Sequence, residues 1–106
     1  MSKEKLESCI NACVQCAEEC DTCAAECKIA GNDQCVKLCI ACADKCRKCA
    51  EACKTDGEEA VLAAAKCATA CEICANECAK HEHMACCKRC DASCLKCAAV
   101  CKSVAV

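Results

Sequence analysis

Four stretches of the chain carry one alternation: a small apolar residue returns after four positions, then three, then four. The positions between are mostly Lys, Glu, Asp, Arg and Ala. A 4,3 alternation averages 3.5 residues, the period of a helix seam that faces partner helices. The recurring residue is cysteine in every stretch. It stands at Cys9, Cys13, Cys16, Cys20, Cys23 and Cys27, and at Cys35, Cys39, Cys42, Cys46, Cys49 and Cys53. It returns at Cys67, Cys71, Cys74 and Cys78, then at Cys87, Cys90, Cys94, Cys97 and Cys101, with Cys86 as an extra one turn before Cys90 that can pair with it. The thiols thus occupy the positions where a bundle normally places leucine.

The pattern predicts four helices. The first covers about residues 2–28, with Ser2 as its N-cap and Gly31 just past its end. The second follows Asn32 or Asp33, either able to cap it, and ends near Lys54. The third starts at Asp56-Gly57-Glu58-Glu59, where Asp56 and Glu59 have capping-box spacing and the acids suit the helix dipole. It reaches about Lys80. The fourth covers about residues 83–103, and no Gly or Pro marks the break before it. Connections this short favour antiparallel neighbours. The expected fold is all-α: an antiparallel up-down-up-down four-helix bundle with a cysteine-lined core, one domain over residues 1–106.

Composition sharpens this. Cysteine supplies 22 of the 106 residues, while Ile, Leu, Val and Met together supply sixteen and aromatics none. Burying a large aliphatic side chain is worth about 1.5–3 kcal/mol, against about 1–2 kcal/mol of backbone entropy for each ordered residue. Free cysteine adds to the core as a small hydrophobe. The metal-free form is nevertheless expected to be less stable than a loaded one. The net charge of −2 is spread along the chain. With no basic patch and no stacking aromatic, nucleic acid is not an expected partner. No apolar run is long enough to span a membrane, and the opening MSKEKLESC does not read as a signal peptide. The expected location is the cytoplasm.

So many cysteines would suit a disulfide scaffold, but the spacing argues otherwise. Helical i,i+4 Cβ atoms lie about 5–6 Å apart, and a disulfide needs about 3.5–4.5 Å. Two glycines and no proline leave little room for the loops of such scaffolds.

Thiolates select Cu(I), Zn(II) or iron–sulfur clusters. Each bound cysteine loses its proton and becomes anionic. A Zn(II) ion with four separate thiolates carries −2, and several such sites would bury a large uncompensated charge. Cu(I), bridged by thiolates at nearly one ion per cysteine, leaves the core close to neutral. The pairs Cys9–Cys13, Cys16–Cys20, Cys42–Cys46 and Cys97–Cys101 can each converge on one ion, and the three-residue steps join the pairs into a row. Iron–sulfur loop spacings are missing. A CxxC such as Cys20–Cys23 lacks the βαβ setting of a redox motif.

Up-down order gathers Cys27, Cys35, Cys78, His81, His83, Met84 and Cys86 at one end. Leu6, Ile10, Val61, Leu62, Val100 and Val104 gather at the other, where Ala60 and Ala64 replace thiols. The end bearing imidazole and thioether is the expected metal entrance, with His81, His83 and Met84 as its ligands.

The repeated CxxxCxxCxxxC blocks and the segment Lys80-His81-Glu82-His83-Met84-Ala85-Cys86-Cys87-Lys88-Arg89-Cys90 resemble the cytosolic bacterial copper storage proteins. The likeness spans nearly the whole chain. It implies a bundle that stores multiple Cu(I) ions on inward-facing cysteines and assembles as a homo-tetramer. Its entrance histidines and methionine correspond to His81, His83 and Met84. The chain has Cys86 where relatives often have histidine. Proteins that donate or accept copper are the implied partners. No Ser/His/Asp or carboxylate constellation is evident, so catalysis is not expected. General Zn or Cd sequestration, a thiol redox reservoir and a small metallochaperone stay open beside storage.

Overall fold

The computed structural model describes residues 2–55 and 57–105. Four helices follow in order: α1 (Lys3–Ala30), α2 (Asp33–Cys53), α3 (Glu58–Cys78) and α4 (Ala85–Ala105), with a 3-10 turn over Ala79–His81. The α1 start is capped as the sequence implied. The Ser2 side chain accepts a hydrogen bond from the Lys5 amide at 3.1 Å. The α1 stop is glycine-specific: Gly31 sits at φ 82°, a left-handed conformation that L side chains rarely adopt. Two amides close this end, Gly31 N–H on the Lys28 carbonyl and Asn32 N–H on the Cys27 carbonyl at 2.9 Å. The helix runs two residues past the expected Lys28 before the turn.

Asn32 is the α2 N-cap, but its side chain caps nothing. It spans the molecule instead, its Nδ2 donating to the Met84 sulfur at 3.3 Å. That bond ties the α1–α2 connection to the α3–α4 connection. At the end of α2 the Thr55 hydroxyl donates to the Ala52 carbonyl at 2.9 Å. The expected capping box at the start of α3 rests on Asp56, which lies outside the described residues. Gly57 occupies the cap position with no side-chain bond. The α3–α4 break is longer than the sequence suggested. The α-helix stops at Cys78 rather than Lys80, the chain tightens into the 3-10 turn, and α4 starts at Ala85 rather than 83. The amide of Met84 bonds the His81 carbonyl, and the amides of Cys87 and Lys88 bond the Met84 carbonyl. These bonds turn the chain without a glycine.

Each helix packs against two neighbours, α1 and α3 both lying between α2 and α4, with no diagonal approach among the described residues. The result is the expected square antiparallel bundle, 41 × 17 × 17 Å. All cysteines are buried, Cys86 at 3 % exposure being the most accessible, and alanines fill the gaps beside them. The far end is closed by Leu6, Ala60, Ala64 and Val104, all buried, with Ile10 and Val100 packed against them. Leu62 departs from the expectation that it joins this end. It is 59 % exposed, because Ala60 and Ala64 take the inward positions of this turn of α3. Ion pairs such as Arg47–Asp21, Lys48–Asp44 and Arg89–Glu19 lie on the outer face. Exposed pairs of this kind are worth about 0–1 kcal/mol each.

Candidate metal centre

Alternation of four and three turns every cysteine of a helix toward the bundle axis, and the four rows interdigitate there. All twenty-two thiols are free. The shortest sulfur–sulfur separation, Cys27 to Cys87, is 3.5 Å, far beyond the ~2.05 Å of a disulfide. Two of the four same-helix pairs singled out by spacing are in contact within 4.0 Å: Cys16–Cys20 at 4.0 Å and Cys97–Cys101 at 3.8 Å. Contacts across helices are as close, among them Cys9–Cys49 at 3.7 Å, Cys20–Cys90 at 3.6 Å and Cys42–Cys71 at 3.7 Å. The sequence could not assign these partners, because they depend on the register between helices.

The sulfurs form overlapping sets of four whose members lie within 4.8 Å of one another. Along the axis come Cys9/Cys13/Cys49/Cys101, Cys13/Cys67/Cys97/Cys101, Cys16/Cys46/Cys71/Cys97, Cys16/Cys20/Cys42/Cys94 and Cys20/Cys74/Cys90/Cys94. Each set shares at least one sulfur with the next. A shared sulfur is a bridging ligand, so ions placed in successive sets would be joined through common thiolates.

Hydrogen-bonding contacts of 4.0 Å or less divide the thiols in two. Eighteen form one continuous column from Cys53 to Cys35. The other four, Cys23, Cys27, Cys86 and Cys87, form a separate group at the mouth. Cys86 was expected to pair with Cys90. Its one sulfur contact within 4.0 Å is instead with Cys87, its neighbour in the first turn of α4.

Proton affinity is uneven in the column. Thiols hydrogen-bonded to Cys42, with Cys16 first among them, hold its pKa far below the usual thiol value. Those around Cys94, again led by Cys16, push its pKa far up. Cys74 is lowered to about 6 by hydrogen bonding with Cys20 and then Cys39. At the closed end, burial raises Cys53 to about 11. In so dense an array one sulfur is held as thiolate by neighbours that keep their protons. No N/O-bearing polar or charged residue is buried among the described residues, so only a bound cation could neutralise several thiolates there.

His81, His83 and Met84 lie at the mouth, as expected. Met84 is half-buried against the core, His81 is half-buried and His83 is exposed. The two imidazole centroids are 6.3 Å apart. His81 Nε2 lies 2.9 Å from Glu77 Oε2, and the second carboxylate oxygen accepts from Lys80 at 3.4 Å. The His81 hydrogen bond, followed by Lys80, holds the Glu77 carboxyl below the usual carboxylate range against the opposing effect of burial. Sequence reasoning passed over both Glu77 and Asn32. The i,i+4 spacing of Glu77 and His81 carried a usable signal, whereas nothing local pointed from Asn32 to Met84. The surface groove between α2 and α3, about 340 Å³ and lined by Lys45, Lys48, Leu62 and Lys66, contains no sulfur.

Comparison with known proteins places this arrangement. A family profile described as "Copper storage protein" matches residues 2–106. The apo form of copper storage protein 3 from Bacillus subtilis is 36% identical, with 94% of this chain and 98% of that one covered and a TM-score of 0.88. A Cu(I)-bound copper storage protein is 34% identical over 96% of this chain and 99% of that one, with a TM-score of 0.89. A cytosolic copper storage protein from Streptomyces lividans, loaded with five coppers, is 29% identical over 96% and 92%, also with a TM-score of 0.89. A search of curated proteins matches none of them. The chain belongs to the copper storage protein family.

Proposed function

We propose that this family member is a high-capacity store for Cu(I), holding roughly one ion per cysteine on bridging thiolates. The observation that carries the reading is the stack of four-sulfur sets that share members along the sulfur column. Each binding event replaces a thiol proton by Cu(I) and releases that proton to solvent, so the charge of the site does not change. A divalent ion on four unshared thiolates would leave −2 at each site, and the column offers no buried cation to offset it. Related proteins with bound Cu(I) and with five coppers support the same cargo.

All twenty-two cysteines serve as ligands in this reading, and His81, His83 and Met84 receive the ion at the mouth. Residues 1–106 act as one storage domain. The role is storage and not catalysis: each sulfur in the column is surrounded by other sulfurs, leaving no open coordination position for a substrate. The cytoplasm is the proposed location, supported by the relative described as cytosolic and by the lack, among the described residues, of a helix long and apolar enough to cross a membrane. Assembly as a homo-tetramer and exchange with copper donor or acceptor proteins complete the reading.

Anaerobic titration of the reduced apo-protein with Cu(I), against a strong chromophoric chelator, tests it. Saturation near ~20 ions per chain is the expected result for a bridged, near-neutral core. Saturation at only a few ions overturns storage and leaves the cysteine column as a structural core.

A further inference from the structure

The charge argument that keeps divalent ions out of the column acts differently at the mouth. Cys23, Cys27 and Cys87 form a triangle with edges of 3.8, 3.6 and 3.5 Å. Cys86 lies beside it, 4.0 Å from Cys87 and at a longer approach to Cys23. A tetrahedral ion with metal–sulfur bonds of about 2.3 Å needs sulfurs about 3.8 Å apart, so Cys23, Cys27 and Cys87 are spaced for three corners of a single ZnS4 site, and Cys86 completes it by closing on Cys23 and Cys27. The group meets the column through longer approaches of Cys23 to Cys39, Cys78 and Cys90, and of Cys27 to Cys35. None of its tight contacts is shared with the column. One ion can therefore take four thiolates here without bridging to a second.

The residual −2 of such a site is also less costly here than deeper in the bundle. Cys86 and Cys87 stand in the first turn of α4, where leading amides lack helical acceptors and the dipole favours negative charge. Exposed Lys28 and Lys88 are the chain neighbours of Cys27 and Cys87, while the Glu26 carboxylate opposes them at Cys86. The thiols in the middle of the column, such as Cys16, Cys42, Cys71 and Cys94, lie far from any helix start.

We propose that Cys23, Cys27, Cys86 and Cys87 form a discrete tetrathiolate site for one divalent d10 cation, Zn(II), at the mouth of the Cu(I) store. The proposal rests on the storage reading for its setting. It makes the mouth a site of different valence preference from the column behind it, which incoming Cu(I) must displace or bypass.

The test titrates reduced, metal-free, full-length protein with Zn(II) against a graded series of chelators, with parallel Cu(I) titrations. The expected result is one Zn(II) bound at least 100-fold more tightly than any later ion. The Cys27→Ala/Cys86→Ala variant should lose that step, while Cys9→Ala/Cys49→Ala, which removes two thiols from the far end, should keep it. With Cd(II) as a second probe, the first equivalent should give one 113Cd resonance in the tetrathiolate range. Several Zn(II) ions binding with indistinguishable affinity overturn the proposal, as does a tight step that survives in the mouth variant. A normal Cu(I) capacity together with either of those results refutes the mouth site alone. A low Cu(I) capacity refutes the storage reading itself. Circular dichroism of both variants checks that the helices persist, and a mouth variant that does not fold is replaced by Cys86→Ser under the same criteria.

Discussion

At the end where α1 begins and α4 finishes, Leu6 and Val104 are buried over the last thiols, and α3 contributes Ala60 and Ala64 where the seam calls for cysteine. At the opposite end no large aliphatic residue among the described residues is fully buried. Its surface is made by His81, His83, the half-buried Met84 and the nearly buried carboxylate of Glu77. The same helices thus finish in an apolar plug on one side and a donor-lined mouth on the other. Hydrocarbon at one end supplies stability that cysteine contributes weakly, and the donors at the other end are the entrance in the storage role proposed above.

The comparison breaks most visibly at the plug. Leu6→Ala should lower the stability of the reduced apo-protein by about 2–4 kcal/mol through lost burial and a residual cavity, read by urea denaturation, with Cu(I) capacity unchanged. A fall in capacity would mean that the closed end also shapes the metal sites. At the mouth, joint replacement of His81, His83 and Met84 by alanine should slow Cu(I) uptake on the order of ten-fold, equivalent to about 1.4 kcal/mol of barrier. Stopped-flow absorbance would record this, and final capacity should stay nearly intact. A large capacity loss at normal rate would reverse the assignment. Converting the plug into column is a finer test. Ala60→Cys with Ala64→Cys should raise capacity by about two ions and shift apo stability by less than about 1.5 kcal/mol, as small changes of core volume do.

The smallest expected effect concerns pH. The Glu77 carboxyl is held below its ordinary range in the folded chain, first by His81 and then by Lys80. A lowered folded pKa stabilises the fold above the unfolded pKa, and that gain is lost as pH falls through the folded value. Apo stability should therefore decline below pH about 4.3, the ordinary Glu value. Glu77→Gln should flatten that decline by less than about 1 kcal/mol, the scale of a part-exposed pair. An unchanged pH profile would show that Glu77 has no linkage role.

The helical seam was legible because one residue type marked it at every turn, and four helices with short connections left one economical arrangement. Helix ends were legible where the chemistry is local, as at Ser2 and Gly31. The α3–α4 break was harder to place because the 3-10 turn is built from backbone bonds around His81 and Met84 that no distinctive residue announces. The outward face of Leu62 was legible from Ala60 and Ala64, which continue the α3 seam before Cys67 and take the buried positions, so grouping Leu62 with the closed end gave its size more weight than its register. The site residues were legible individually, whereas their grouping was not. That Cys86 contacts Cys87 rather than Cys90 follows from how α4 enters the bundle, and that the thiols divide into two groups follows from distances between helices.

The uniformity of the column has a consequence for how the helices find their alignment. In a bundle with mixed core residues, large side chains fit only one set of holes and thereby fix the longitudinal setting of each helix. Here nearly every hole and knob is the same small thiol, so a helix displaced by seven residues would meet almost the same surroundings. The apolar interior works like a ruler with identical graduations, and the stops must come from its ends. Leu6 and Val104 provide one. The bond from Asn32 to Met84, which crosses between the two connections at the mouth, provides the other.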